Sequence, residues 1–249
     1  MDEVSDDFSV WTPGQPYIVT LFYRYTPIFD PQHLQRVLTS QCNKLGLLGR
    51  ILLASEGING TLAGSVDCIN AFIEFMKTDQ RFSQIDWKST LVDVKSHIED
   101  RHSLNELPFL DLSVRIVNEI ISCGRQRDFI NGHIRFDSST FGGIDGTGKH
   151  LKAPEFHTAI EQLESSGGML LDIRNQFEYE IGRFDGALPL QCATYSESWI
   201  ALDGLLQGKE ASTPVYMYCT GGVRCEKASA YVRSKGFENV FQLEGGIHR

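Results

Sequence analysis

The feature that most constrains this chain is a loop between a short apolar run and a predicted helix. The run ends in Val215–Tyr218, the loop follows as Cys-Thr-Gly-Gly-Val-Arg-Cys at residues 219–225, and the helix is predicted from Glu226 to Lys235, where Gly236 ends it. A strand that leads through a glycine-containing loop into a helix is the repeating unit of α/β domains. In such domains the loop lies at the carboxyl edge of a parallel sheet, facing a crevice.

This loop also predicts chemistry, because it places a sulfur where backbone N–H groups and a helix N-terminus converge. In such surroundings the pKa of a thiol falls from about 8.5 to roughly 3.5–7.5. Arg224 adds a fixed positive charge. We therefore interpret Cys219 as a nucleophile, rather than as a buried cysteine at an ordinary turn. The residues expected to stabilise an anionic sulfur are Thr220, Gly221, Gly222, Val223 and Arg224.

Cys225 follows directly on this loop. It is predicted either to resolve an oxidised sulfur on Cys219 as a disulfide or to be a packed helix residue. The sequence leaves both roles open.

Composition narrows the class of protein. The chain has 249 residues, of which 41% are hydrophobic and 22% charged, with no apolar run long enough to span a bilayer. The acidic N-terminus lacks the basic and apolar regions of a signal peptide, so we expect a cytoplasmic protein without a membrane partner. The formal net charge of −9 argues against strong nonspecific binding to nucleic acid, although a local basic patch is compatible with it.

The six cysteines are scattered, apart from the last pair, and we expect them to be reduced. The sequence contains no CxxC pair and no His/Cys cluster with metal spacing, so no metal site is predicted. It also contains no dinucleotide fingerprint, and no other cofactor is identifiable.

The N-terminal half predicts a ferredoxin-like α+β sandwich, because its elements follow the order strand-helix-strand-strand-helix-strand, with one further strand. The predicted helices run from Asp30-Pro31 to Gly46 and onward from Ser65, and the predicted strands lie at 17–25, 49–54, 58–63, 89–95 and 112–121.

Within this half, residues 56–61 read Glu-Gly-Ile-Asn-Gly-Thr. Two glycines and an asparagine allow either a tight hairpin connection or a backbone that approaches a ligand closely. Under the second interpretation this stretch meets the Cys219 loop in a two-domain cleft, and its candidate residues are Glu56, Gly57, Asn59 and Gly60. A polar cluster at residues 97–102 is interpreted as a solvated loop or a binding site.

The regular pattern stops after Gly124 and resumes near residue 150, so residues 125–149 are predicted to be a glycine-rich linker. The domains are then expected at 15–124 and 150–249. In the second domain, residues 169–174 read as a buried parallel strand. Asp172 and Arg174 at its end either support the functional edge or form a structural ion pair.

The motifs of residues 150–249, taken together, resemble a rhodanese domain. They are Leu171-Asp172-Ile173-Arg174, Glu178-Tyr179-Glu180-Ile181-Gly182, Phe184-Asp185-Gly186-Ala187, the Cys219 loop and Leu243-Glu244-Gly245-Gly246-Ile247. The resemblance implies a rhodanese-like α/β domain. Four residues separate Cys219 from Arg224, which matches the six-residue loop of sulfur-transferring members rather than the longer loop of related phosphatases.

Residues 53–61 together with residues 219–229 make the whole chain from Tyr17 onward similar to the bacterial rhodanese-domain tRNA uridine hydroxylases. This resemblance implies an acylphosphatase-like first domain and oxygen-dependent hydroxylation at C5 of the wobble uridine, position 34. It also implies molecular oxygen as co-substrate and the tRNA anticodon region as partner. The family commonly has a further cysteine-containing segment after the Gly-Gly-Ile motif, so we expect that this chain, which ends at Arg249, is truncated.

Two other functions remain as alternatives at this point. The loop length is compatible with a sulfurtransferase that carries a persulfide on Cys219. A noncatalytic binding module is the third possibility, and the loop chemistry argues against it.

Overall fold

The computed structural model describes residues 16–92, 107–124 and 141–248. The chain divides into two compact units, residues 1–120 and 121–249. Three expectations lie wholly or partly outside the described residues: the end of the strand predicted at 89–95, the polar cluster at 97–102, and most of the predicted linker. Within the described ranges, no helix is long and apolar enough to cross a membrane.

The first unit has the predicted ferredoxin-like, acylphosphatase-like topology. Its sheet has the order β4-β1-β3-β2-β5; the first four strands pair antiparallel, and β5 adds to the edge parallel to β2. The elements are β1 (Tyr17–Tyr25), α1 (Pro31–Lys44), β2 (Leu48–Ala54), β3 (Gly57–Ser65), α2 (Val66–Lys77), β4 (Lys88–Val92) and β5 (Leu112–Ile116).

Local signals start both helices of this unit where the sequence predicts. The Asp30 carboxylate accepts a hydrogen bond from the His33 N–H at 2.9 Å, and the Ser65 hydroxyl accepts one from the Cys68 N–H at 3.3 Å. Each cap satisfies a backbone donor that has no partner within the helix.

The last strand of the first unit is shorter than predicted. It ends at Ile116, whereas the sequence predicts a strand to residue 121. The backbone near residue 120 leaves the sheet because side chains bind it: the Ile120 N–H donates to the Glu56 carboxylate at 2.8 Å, and the Ile120 carbonyl accepts from the Asn59 amide at 2.9 Å.

The second unit is a rhodanese-like α/β domain, as predicted, with an all-parallel sheet in the order β6-β10-β9-β7-β8. Short 3₁₀ turns lie at Phe141–Gly143 and Tyr195–Glu197. The other elements are β6 (Lys149–Leu151), α3 (Ala153–Glu161), α4 (Leu163–Ser166), β7 (Met169–Asp172), α5 (Gln176–Ile181), β8 (Leu188–Pro189), α6 (Ser198–Leu206), β9 (Val215–Tyr218), α7 (Val223–Ser234) and β10 (Val240–Leu243).

The helix after the cysteine loop begins earlier than predicted, at Val223 instead of Glu226. Gly222 makes this possible, since its φ of 97° lies in the left-handed region that residues with a Cβ rarely adopt. The sharp turn brings Arg224 and Cys225 into the first turn of α7. Both are therefore near the backbone N–H groups that a helix leaves unpaired at its start.

Candidate active site

The sulfur of Cys219 lies at the carboxyl end of the central strand β9, and the residue is 0% exposed. The Gly222 N–H donates to the sulfur at 3.2 Å. The backbone N–H groups of Arg224 and Cys225 also hydrogen-bond to it. The loop thus surrounds the sulfur with donors, which favours a negative charge.

Burial and these hydrogen-bond donors have opposite effects on the pKa of Cys219. Burial in the core raises it, but the Cys225 thiol, the Arg224 charge and the backbone N–H groups together lower it to about 6. Most of the sulfur is then thiolate at neutral pH, the form that acts as a nucleophile.

Cys225 has the opposite protonation. Its pKa is raised well above the ordinary value by burial and by its hydrogen bond to the negatively charged Cys219 sulfur. The pair therefore consists of a thiolate at Cys219 and a hydrogen-bonded thiol at Cys225. This interaction places the two sulfurs side by side.

The guanidinium of Arg224 is held by Glu178, which lies on α5. The two groups form a bidentate pair, with N–O distances of 2.7 and 2.8 Å. Thr220 joins this pair, since its hydroxyl lies 2.6 Å from the Glu178 carboxylate and 2.9 Å from Arg224. Burial opposes the charge of Glu178, but the Arg224 and Thr220 hydrogen bonds lower its pKa to about 2.

Glu178 lies in one of the rhodanese-like sequence motifs, but that motif alone indicates no role for it in the site. One signal was available: Glu178 is the third residue of α5, where its carboxylate also accepts the Asn175 N–H as a capping box. Its bond to Arg224 spans 46 positions, and no local pattern predicts that.

The backbone of the cysteine loop is bound by the segment after β10. The Ile247 N–H donates to the Cys219 carbonyl at 2.9 Å, and the His248 N–H donates to the Thr220 carbonyl at 3.0 Å. Gly246 allows this approach, because a Cβ there would lie 2.5 Å from the Thr220 oxygen and 2.6 Å from the Cys219 oxygen. The absence of a side chain at Gly246 therefore lets the following residues bind the backbone of the cysteine loop.

Tyr195 is a second residue that sequence reasoning missed. Its hydroxyl donates to the Arg224 carbonyl at 2.7 Å, and its ring packs against Trp199 with centroids 5.6 Å apart. Its residue type and local sequence carry no motif from which this contact could have been predicted.

Asp172 and Arg174 lie at the carboxyl edge of β7, the neighbour of β9. They form a buried bidentate ion pair with N–O distances of 2.7 to 3.1 Å. The Tyr218 hydroxyl donates to Asp172 at 2.7 Å, and Arg174 also binds the Gly182 carbonyl. This network links the end of β7 to the residue just before Cys219.

The candidate residues of the first unit lie around β3. Glu56 and Asn59 hold the Ile120 peptide, as described above. Gly57, with a φ of 151°, lies where a Cβ would collide with the Arg24 carbonyl, and a Cβ at Gly60 would collide with the Phe22 ring. Close packing within the first unit thus accounts for the glycines of this stretch.

Across the described ranges, no group of three or more His, Cys, Asp and Glu side chains could hold a metal ion.

Comparison with protein families agrees with this architecture. Residues 17–120 match the model described as UPF0176 acylphosphatase like domain, and residues 153–249 match the Rhodanese-like domain. The fold and site therefore define a two-domain protein with an acylphosphatase-like unit and a rhodanese-like unit that carries the cysteine loop.

Relatives identify the family. The tRNA uridine(34) hydroxylase of Pseudarthrobacter chlorophenolicus is 36% identical over 93% of this chain and 72% of that protein. The chain belongs to the tRNA uridine(34) hydroxylase family. The protein of the same name from Bacillus pumilus is 37% identical over 93% of this chain, which spans 63% of the length of that relative. A rhodanese-like domain protein from Staphylococcus aureus, with a solved structure, is 24% identical over 40% of this chain and 88% of its own, with a TM-score of 0.32.

Proposed function

We propose that this protein hydroxylates C5 of the uridine at position 34 of tRNA, with molecular oxygen as co-substrate. The observation that carries the proposal is the buried Cys219 thiolate, held in its loop by backbone N–H groups, in a chain that belongs to the hydroxylase family. A nucleophilic sulfur suits this reaction because C6 of uracil is electrophilic. Addition of Cys219 at C6 makes C5 electron-rich, and elimination of the thiolate after oxygen transfer restores the ring.

The remaining groups of the site have supporting roles in this scheme. Arg224 keeps a positive charge beside the sulfur, and Glu178 holds its orientation through two hydrogen bonds. A thiolate with a pKa of about 6 is a good leaving group as well as a nucleophile, which the elimination step requires.

The proposed substrate region is the anticodon loop. Bases in single-stranded loops can be turned out of the stack, which exposes C5 and C6 to a side chain. In a duplex the bases stay stacked, so a buried sulfur could not reach C6 of the uracil. The buried position of Cys219 therefore suits a base that can leave its stack.

Sulfur transfer is the second candidate, because the six-residue loop and its converging N–H donors would also stabilise a Cys219 persulfide. In that case the purified protein carries an additional sulfur on Cys219 and has thiosulfate:cyanide activity that Cys219→Ser abolishes.

The test is nucleoside analysis of tRNA from cells that lack the gene and are complemented with wild type or Cys219→Ser. We expect wild type to restore 5-hydroxyuridine derivatives and the variant to lose them. If neither wild type nor Cys219→Ser restores 5-hydroxyuridine derivatives in the tRNA, the proposal is overturned. Full restoration by Cys219→Ser would indicate a noncatalytic role. Cys42→Ser is a matched control, since Cys42 is a buried cysteine of the first unit.

A further inference from the structure

Hydroxylation by molecular oxygen needs a source of electrons. One oxygen atom enters the C5–O bond and the other leaves as water, so the uracil, O₂, two electrons and two protons give 5-hydroxyuracil and H₂O. Two thiols that become a disulfide release two electrons and two protons. A dithiol beside the reacting base would therefore balance the reaction.

The structure contains such a pair at the site itself. Cys219 and Cys225 are both 0% exposed and belong to one apolar cluster of the second unit. The left-handed turn at Gly222 folds the chain back, so that the Cys219 sulfur accepts hydrogen bonds from both the N–H and the thiol of Cys225. Since Ile247 and His248 hold the loop backbone, this juxtaposition belongs to the folded loop.

We propose that Cys219 and Cys225 supply the two electrons of hydroxylation and are joined by a disulfide bond at the end of each turnover. This inference rests on the proposed function. In the balanced step, the O–O, C5–H and Cys225 S–H bonds break, and the C5–O and S–S bonds form. The hydrogen that leaves C5 is replaced by the hydrogen of the new hydroxyl group. Because Cys219 enters as a thiolate, the second oxygen atom takes the Cys225 proton and one proton from solvent and leaves as water. A dithiol reductant, either a small molecule or a protein of the thiol–disulfide exchange class, then restores the pair.

The chemical difference between the two sulfurs suits this role. Cys219 is the thiolate, which attacks the base and later attacks the oxidised sulfur of Cys225. Cys225 is the protonated thiol, which donates its hydrogen during the reaction. The other cysteines of the cluster have different neighbours: Cys123 lies 3.6 Å from the Lys227 amine, and Cys192 lies after β8. Cys225 is therefore the thiol that the fold pairs with Cys219.

The experiment is a single turnover without free reductant. The reduced chain is freed of small thiols and mixed with unmodified tRNA in air-saturated buffer, and free thiols are then alkylated rapidly. We expect about one 5-hydroxyuridine per protein, because one disulfide releases two electrons. Peptide mass spectrometry should show an equal amount of the Cys219–Cys225 disulfide, and added dithiothreitol should start further turnovers.

Variants separate the possible outcomes. Cys225→Ser keeps a hydroxyl donor beside Cys219 and should lose the single-turnover product, whereas Cys192→Ala, a matched buried cysteine, should keep it. Two results would overturn the inference and leave the hydroxylase function standing. One is product formation after which all of Cys225 is still a free thiol and is therefore alkylated. The other is an unchanged yield of product from Cys225→Ser. No product from wild type with excess dithiothreitol would overturn the hydroxylase function, and this inference with it.

Discussion

At the scale of residues, the site depends on the unequal state of two cysteines in the same apolar surroundings. Burial alone raises the pKa of both, because a low-dielectric environment disfavours the charged form. The loop N–H groups and Arg224 face Cys219 and lower its pKa, whereas Cys225 faces the resulting negative charge and is held protonated. The same apolar cluster thus contains one ionised and one neutral sulfur.

This arrangement predicts that Cys225→Ala raises the pKa of Cys219 by about one to two pH units, since a hydrogen bond to a charged group contributes about 1.5–3 kcal/mol. The pH dependence of alkylation by iodoacetamide measures it. For wild type the rate should rise as pH increases through about 6, where the thiolate forms. In Cys225→Ala the rise should occur at higher pH.

Cys225→Ser is the matched variant here, because its hydroxyl also donates to the sulfur. Its midpoint should lie nearer to that of wild type. If the midpoint of Cys225→Ala equals the wild-type value, the Cys225 thiol does not stabilise the thiolate.

At the scale of elements, four parts of the second unit position the cysteine loop. Strand β9 delivers it, α7 begins directly after it, and the turn after β10 donates two hydrogen bonds to its carbonyls. Helix α5 adds the Glu178 carboxylate, which fixes Arg224 and Thr220. The geometry of the donors around the sulfur is therefore set by elements that are distant in sequence.

Gly246→Ala should displace the loop, because the added Cβ would collide with the carbonyl oxygens of Cys219 and Thr220. We expect reduced hydroxylation and a higher pKa of Cys219, since the donors no longer converge on the sulfur. Nucleoside analysis and the alkylation pH profile are the measurements.

Gly186→Ala is the control for backbone strain. Gly186 has the same φ of 74° as Gly246, but a Cβ there meets nothing within 4 Å. In both variants an alanine adopts a left-handed conformation, which costs about 1–2 kcal/mol. Only Gly246→Ala adds the collision. Equal effects of the two substitutions would show that strain, rather than contact with the loop, determines the outcome.

At the scale of the whole molecule, the chain is built as two units, and their division at residue 120 falls before the glycine-rich segment. Cys123 belongs to the core of the second unit: its carbonyl accepts the Trp199 indole N–H at 2.7 Å. Gly148 also serves this unit, since its N–H donates to the buried Ser229 hydroxyl and its carbonyl accepts from Gln242.

A fragment of residues 121–249 should therefore be more stable than one of residues 150–249. The shorter fragment loses three hydrogen bonds, which join the Trp199 indole to Cys123 and the side chains of Ser229 and Gln242 to Gly148. Each such hydrogen bond contributes about 0.5–1.5 kcal/mol. Chemical denaturation of the two fragments gives the comparison. Equal unfolding free energies would mean that residues 121–149 contribute nothing to the second unit.

Much of the fold could be predicted because its signals are local. Asp30 and Ser65 act on backbone within a few residues, and the order of strands and helices restricts the topology of each unit. Element ends that depend on distant contacts were predicted less well. The strand ending at Ile116 is an example, because side chains more than 60 positions away bind the backbone that follows it.

The sequence by itself determined that Cys219 stands in a six-residue loop between a strand and a helix, because covalent spacing and glycine conformation are properties of neighbouring residues. Tertiary structure alone decided which groups complete the site. Three residues, Glu178, Tyr195 and Ile247, reach the loop from other elements, over separations of 28 to 46 positions. Their hydrogen bonds depend on how sheet and helices pack, and packing is a property of the whole domain.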